Sequence, residues 1–124
     1  MRQFLTLLLV QISLGLMGVG AAVADPIDFN REIRPILSDN CFQCHGPDAA
    51  ERKGDLRLDT EDGAYAVLVA GKPDESLLIE RVFHEDAEER MPPSELPKKL
   101  SEAQKKTLRD WIKQGASWAK HWAR

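Results

Sequence analysis

The sequence predicts a small all-α domain behind an export signal. Three observations predict it. Apolar residues recur at helical spacings of three and four, helix-start residues sit where those runs begin, and only one short stretch alternates as a strand would. With 124 residues, the chain allows one such domain.

The first element is a leader over residues 1–24. Arg2 is the only charge before Asp25, and the stretch 4–24 is apolar, with Gln11 and Ser13 as mild interruptions. It closes on Ala22-Val23-Ala24, small residues at the positions a signal peptidase reads. A charged start, an apolar middle and an A-x-A exit describe a secretory signal peptide, which places the product in the periplasm. The alternative is an uncleaved membrane anchor, since a run of this length reaches across a bilayer. Gly15, Gly18 and Gly20, with the A-x-A site, favour cleavage.

The second domain is then 25–124. The whole chain has 17 Lys and Arg against 20 Asp and Glu, so leaving out Arg2 takes the basic count to 16 and the formal net charge to −4. That balance argues against nucleic acid, whose binding rests on clustered basic residues. Seven of the chain's aromatics lie beyond the leader, a thin supply for a core, and a large apolar cofactor fits that shortage.

Four helical segments are proposed, one of them unsettled. Asp28 is placed to cap the first, with Phe29, Ile33, Ile36 and Leu37 on one face. Pro35 is the misfit; it either kinks this helix or starts a shorter one at Arg34. In GDLRLDTEDGAYAVLVAG, Leu56 and Leu58 alternate with Asp55, Arg57 and Asp59, which predicts an extended piece. Asp62-Gly63 marks a turn, and the apolar run 64–69 fits either state. GKPDESLLIERVF has Pro73 at a first helical position and acids in its first turn, with Leu77, Leu78, Val82 and Phe83 as the buried face. The last helix is the clearest. Ser101 and Gln104 make a capping-box pattern, and Leu108, Trp111, Ile112 and Gly115 form an apolar stripe. Gly115 either admits a close neighbour or ends the helix.

Chemistry concentrates in NCFQCHGP, residues 40–47, which holds both cysteines of the chain, Cys41 and Cys44, with His45 behind them. A zinc knuckle wants a second pair of ligands at short spacing, and there is none. A redox dithiol suits an exported protein, but thioredoxin-type sites follow a strand, and FNREIRPILSDN reads as helix. Covalent haem c explains the spacing. Two thiols add to the vinyl groups on one porphyrin edge, and the next residue puts an imidazole under the iron. Cys41 and Cys44 are the expected attachment points and His45 the proximal iron ligand.

A second axial ligand separates electron transfer from ligand binding. Met91, in ERMPPSELP, is the one methionine beyond the leader. Pro92 and Pro93 stiffen the chain there and push Met91 away from helix, as suits a thioether that must stay in place through a redox change. His84 lies in an acidic segment that reads as surface, and His121 lies at the extreme end.

The segments IRPILSDNCFQCHGPD, KGDLRLDT, GKPDESLLIERV, RMPP and LSEAQKKTLRDWIKQGASW, in that order, resemble the planctomycete-type cytochrome c domain of the class I cytochrome c group. The resemblance covers nearly all of 28–118. It implies a helical fold wrapped around haem c, with thioether bonds at Cys41 and Cys44, His45 as proximal ligand and Met91 as distal ligand. Such domains often stand at the front of longer multidomain proteins, so a free-standing cytochrome and a chain lacking its partner domain both stay open.

The function expected is one-electron transfer with periplasmic or membrane redox proteins, not catalysis. The membrane takes part only if the leader stays attached. The alternatives are the haem domain of a larger or truncated redox enzyme, a haem sensor or peroxidase in which Met91 leaves the iron, and a haem-free disulfide module. Arg57 is a candidate partner for the haem propionates, although an outward-facing arginine is the stronger reading. Trp111 reads as core. Glu85, Asp86, Glu88 and Glu89 read as a solvated face that also has the charge to steer a basic partner.

Overall fold

Asp28 opens the helical architecture by accepting the Arg31 N–H at 3.1 Å, while Glu32 accepts the Asp28 N–H at 2.7 Å. The computed structural model describes Gly15 and residues 25–119. The proposed leader, apart from Gly15, and His121 lie outside the described residues. Behind Asp28 the chain makes a π-helical turn, Phe29–Ile33, and then α1, Arg34–Asn40. Pro35 explains the change of pitch. It has no N–H to give the carbonyl of Arg31, so the regular ladder breaks, and the Arg34 N–H instead reaches Phe29, five residues back. Of the two expectations for Pro35, the shorter helix starting at Arg34 is the one found, with Pro35 in the first turn of α1.

Four further helices follow: α2, Phe42–His45; α3, Glu61–Tyr65; α4, Leu77–Val82; and α5, Glu102–Lys113. A short 3₁₀ turn, Pro73–Glu75, precedes α4. Among the described residues there is no strand. The extended piece expected at Leu56 and Leu58 is therefore corrected. Its backbone pairs with no strand; instead the Leu58 N–H donates to the His45 carbonyl at 2.7 Å. Its alternation is real but comes from two apolar surroundings, since Leu58 is buried in the core and Leu56 lines a cleft. The unsettled run 64–69 begins in α3, where the Thr60 hydroxyl accepts the Gly63 N–H at 3.2 Å, and leaves it as a turn.

Helix α5 organises the core. The capping box at Ser101 and Gln104 is present in both directions, and Leu108, Trp111 and Ile112 are buried. This stripe packs on α4, on the π-turn and on the 3₁₀ turn. Gly115, at φ 111°, adopts a backbone that L-residues avoid, so it ends the helix. On α4, the buried face is Leu78, Ile79 and Val82; Leu77 and Phe83, expected to join it, are about two-fifths exposed. Leu77 points its side chain to the cleft wall rather than to the core.

The two ends of the domain close on each other. Phe29 stacks on Trp118 with ring centroids 4.1 Å apart and meets Trp111 at 5.7 Å. The Arg34 guanidinium lies 4.9 Å from the Phe29 ring centre and donates to the Ala119 carbonyl at 2.8 Å. Tyr65 donates to the Ala116 carbonyl at 2.7 Å. Among the described residues, no buried side-chain polar atom lacks a hydrogen-bond partner, and no helix is long and apolar enough to cross a membrane.

Candidate functional site

Cys41 sits at the joint between α1 and α2. Its N–H continues the first helix by donating to Leu37, and its carbonyl starts the second by accepting from Cys44 at 3.2 Å and His45 at 2.8 Å. A single helical turn thus carries both thiols and the imidazole. The thiols are free of a disulfide. Burial, with the neighbouring Cys44 adding to it, pushes the Cys41 thiol up to about 12. Such a thiol supplies almost no thiolate near neutral pH, which counts against a thiol-exchange centre.

The loop after His45 is laced back onto it. Lys53 N–H donates to the Cys44 carbonyl at 2.7 Å, and Arg52 reaches the carbonyls of Gly46 and Pro47 at 3.1 and 3.2 Å. The imidazole Nδ1 lies 3.1 Å from the Lys53 carbonyl. A carbonyl only accepts, so Nδ1 carries the ring proton and Nε2 keeps its lone pair for a metal. Gly46 makes this tight turn possible. A Cβ there meets the Phe42 carbonyl oxygen at 2.1 Å, a collision with backbone that no rotamer relieves.

The turn opens on a cleft of about 690 Å³. Cys41, Cys44, His45 and Met91 all line it, although Met91 comes 46 positions after His45. The remaining wall is largely aliphatic, with Leu56, Leu58, Val67, Leu77, Leu78 and Val82 prominent. Its volume is within the range of small-molecule and cofactor sites, roughly 300–1,000 Å³. An apolar cleft of this volume with two thiols, an oriented imidazole and a thioether on its lining fits an iron porphyrin in size and in donor set. Among the described residues no group of three or more His, Cys, Asp or Glu side chains is placed to hold a metal ion.

Met91 is held from α4: its N–H donates to the Arg81 carbonyl at 3.0 Å. The Met91–Pro92 peptide is cis, and Pro92, Pro93 and Leu96 continue the wall. His84 does not line the cleft; its Nδ1 accepts the Asp86 N–H at 3.1 Å. Arg57 is also elsewhere. Its guanidinium grips Asp59 with two bonds of 3.0 and 2.6 Å, in keeping with the outward-facing reading, and the pairing holds the Asp59 carboxyl below the usual range. The cations that do line the cleft are Lys53 and Arg81. Sequence reasoning missed Arg81, although Leu77, Leu78 and Arg81 share one helical face at spacings of three and four. Trp111 is core, its Nε1 donating to the Ser117 carbonyl at 3.0 Å.

Residues 41–95 match the family model described as Planctomycete cytochrome C. The matched span starts at Cys41 and runs past Met91, so it takes in every residue of the expected haem site. No curated protein and no solved structure matches the chain. A match to a cytochrome c family points to haem binding and electron transfer. The cysteine turn and most of the cleft lining fall within the matched span, and residues 41–95 are similar to a planctomycete-type cytochrome c domain.

Proposed function

We propose that this protein is an exported c-type cytochrome that carries single electrons, with Cys41 and Cys44 bonded to the porphyrin, His45 as proximal ligand and Met91 as distal ligand. The observation that carries the reading is the convergence of these four side chains on one apolar cleft. Haem, when bound, supplies an iron that changes between ferrous and ferric states. The chain's residues do the rest. Cys41 and Cys44 fix the cofactor edge to α2. The Lys53 carbonyl keeps the proton on Nδ1 of His45 and makes the ring a stronger donor through Nε2. The aliphatic walls exclude water, which favours the state of lower charge and cuts reorganisation on electron transfer. Lys53 is the cation available to the propionates, since the Arg81 guanidinium is engaged by Glu89.

Residues 1–24 act as the signal peptide and 25–124 as the working domain, which sets the periplasm as the location. The partners are periplasmic or membrane redox proteins. A second reading, a haem sensor or peroxidase, has one observation in its favour: Met91 is 37% exposed, as suits a ligand that can be displaced.

The test is optical. Protein matured in cells that attach haem c is expected to give a c-type pyridine haemochrome and, when ferric, the weak red-end band of thioether ligation. Met91→Ala is expected to abolish that band while keeping the haem. An unchanged Met91→Ala spectrum removes Met91 from the iron and the carrier reading with it.

A further inference from the structure

The loop between α4 and Met91 is closed by two arginines that reach across it in opposite directions. Arg81, in the last turn of α4, donates from Nη1 to the Glu89 carboxylate at 2.6 Å and to the Glu89 carbonyl at 3.3 Å. Arg90, at the far end, reaches back to the carbonyls of His84 at 2.6 Å and Glu85 at 2.8 Å. Between them the Asp86 carbonyl accepts from both Glu89 and Arg90, at 3.1 and 3.0 Å. The Arg81 carbonyl takes the Met91 N–H, and the same residue lines the cleft. Arg81 therefore holds the segment before Met91 by its side chain and Met91 itself by its backbone.

We infer that Arg81 and Arg90 are positioning residues that set how firmly Met91 is held at the cleft, and so how readily an external ligand replaces it. The physical reason is loop entropy. Eight residues, 83–90, separate the end of α4 from Met91, and a free loop of that length visits many conformations. Two guanidinium groups, each spanning two acceptors, remove most of them. Glu89 thereby has a partner inside the domain and is more than part of a solvated acidic face. The inference rests on Met91 being the distal ligand, so its test carries a separate check on that point.

The experiment measures imidazole binding to the ferric, haem-loaded protein, together with the red-end band, in wild type, Arg81→Met, Arg81→Lys, Arg90→Met and Met91→Ala. An external ligand must first displace Met91, so its apparent affinity reports the fraction of molecules in which Met91 is off. Met91→Ala sets the upper limit of affinity. Arg81→Met and Arg90→Met are expected to bind imidazole about tenfold more tightly than wild type, equivalent to about 1.4 kcal/mol, with the band weakened and haem content unchanged. Arg81→Lys, which keeps the charge but not the planar guanidinium, is expected to lie nearer wild type. Affinity and band at wild-type values in both methionine variants, with Met91→Ala shifted, overturn the positioning role alone. Met91→Ala equal to wild type overturns the ligand reading beneath it. Where Arg81→Met does not mature, Glu89→Ala carries the same test from an exposed position, with a shift of a few-fold expected and none contradicting the inference.

Discussion

At the scale of single residues, the site depends on backbone more than on side-chain charge. His45 is oriented by the Lys53 carbonyl, Met91 by the Arg81 carbonyl, and the turn between Cys44 and Lys53 by main-chain bonds that Gly46 permits. A sequence displays thiols, an imidazole and a thioether but not the carbonyls that aim them, which is why Cys41, Cys44, His45 and Met91 could be singled out as candidates and Lys53 and Arg81 could not. Charge matters at Asp59. Its carboxyl is held below the ordinary range, first by the hydrogen bonds from Arg57 and also by that residue's charge, against the opposing effect of burial. A lowered folded pKa contributes stability that is present above the unfolded value, near 4, and lost as pH falls through the folded one. Wild type is therefore expected to melt above Asp59→Asn at pH 7, with the gap closing below about pH 4. Melting curves of the two proteins across that range decide it, and a gap that persists undiminished at low pH contradicts the pairing.

At the scale of elements, legibility followed the strength of the end signals. Helix α5 was readable because Ser101 and Gln104 announce its start and the stripe through Leu108, Trp111 and Ile112 has one interpretation. Removing the cap by Ser101→Ala is expected to cost about 1 kcal/mol in denaturant unfolding, with little change at the cleft. A cost near zero means that Gln104 alone serves the free N–H groups. The first segment was half-readable. Asp28 marked its start, but a proline's lost N–H can be absorbed as a kink, a break or a wide turn, and the sequence does not say which; here it is a π-turn whose Phe29 packs on Trp111 and Trp118. Periodicity misled at two places for one reason. It reports that a side chain meets apolar surroundings and not which surroundings they are. Leu77 and Leu56 carry the periodic signal of core residues, yet both line the cleft.

At the scale of the whole molecule, the cleft is assembled from pieces distant in sequence, and the ends of the domain hold them in register. Residues 41–95 carry the family match, while the closing contacts come from outside it: Phe29 and Arg34 on one side, Trp111, Trp118 and Ala119 on the other. Three of the seven aromatics beyond the leader, Phe29, Trp111 and Trp118, go to this closure, and the wall of the cleft is left to aliphatic side chains. A domain built this way has a lined slot in place of part of its core, and filling that slot with a large apolar group is expected to stabilise it. The central claim is that this group is bonded to the chain. Intact-mass spectrometry of the denatured protein, purified from cells that attach haem c, measures this most directly. The account predicts one haem retained per chain in wild type, and none on the denatured chain after Cys41→Ser with Cys44→Ser. A wild-type mass equal to that of the bare polypeptide contradicts it.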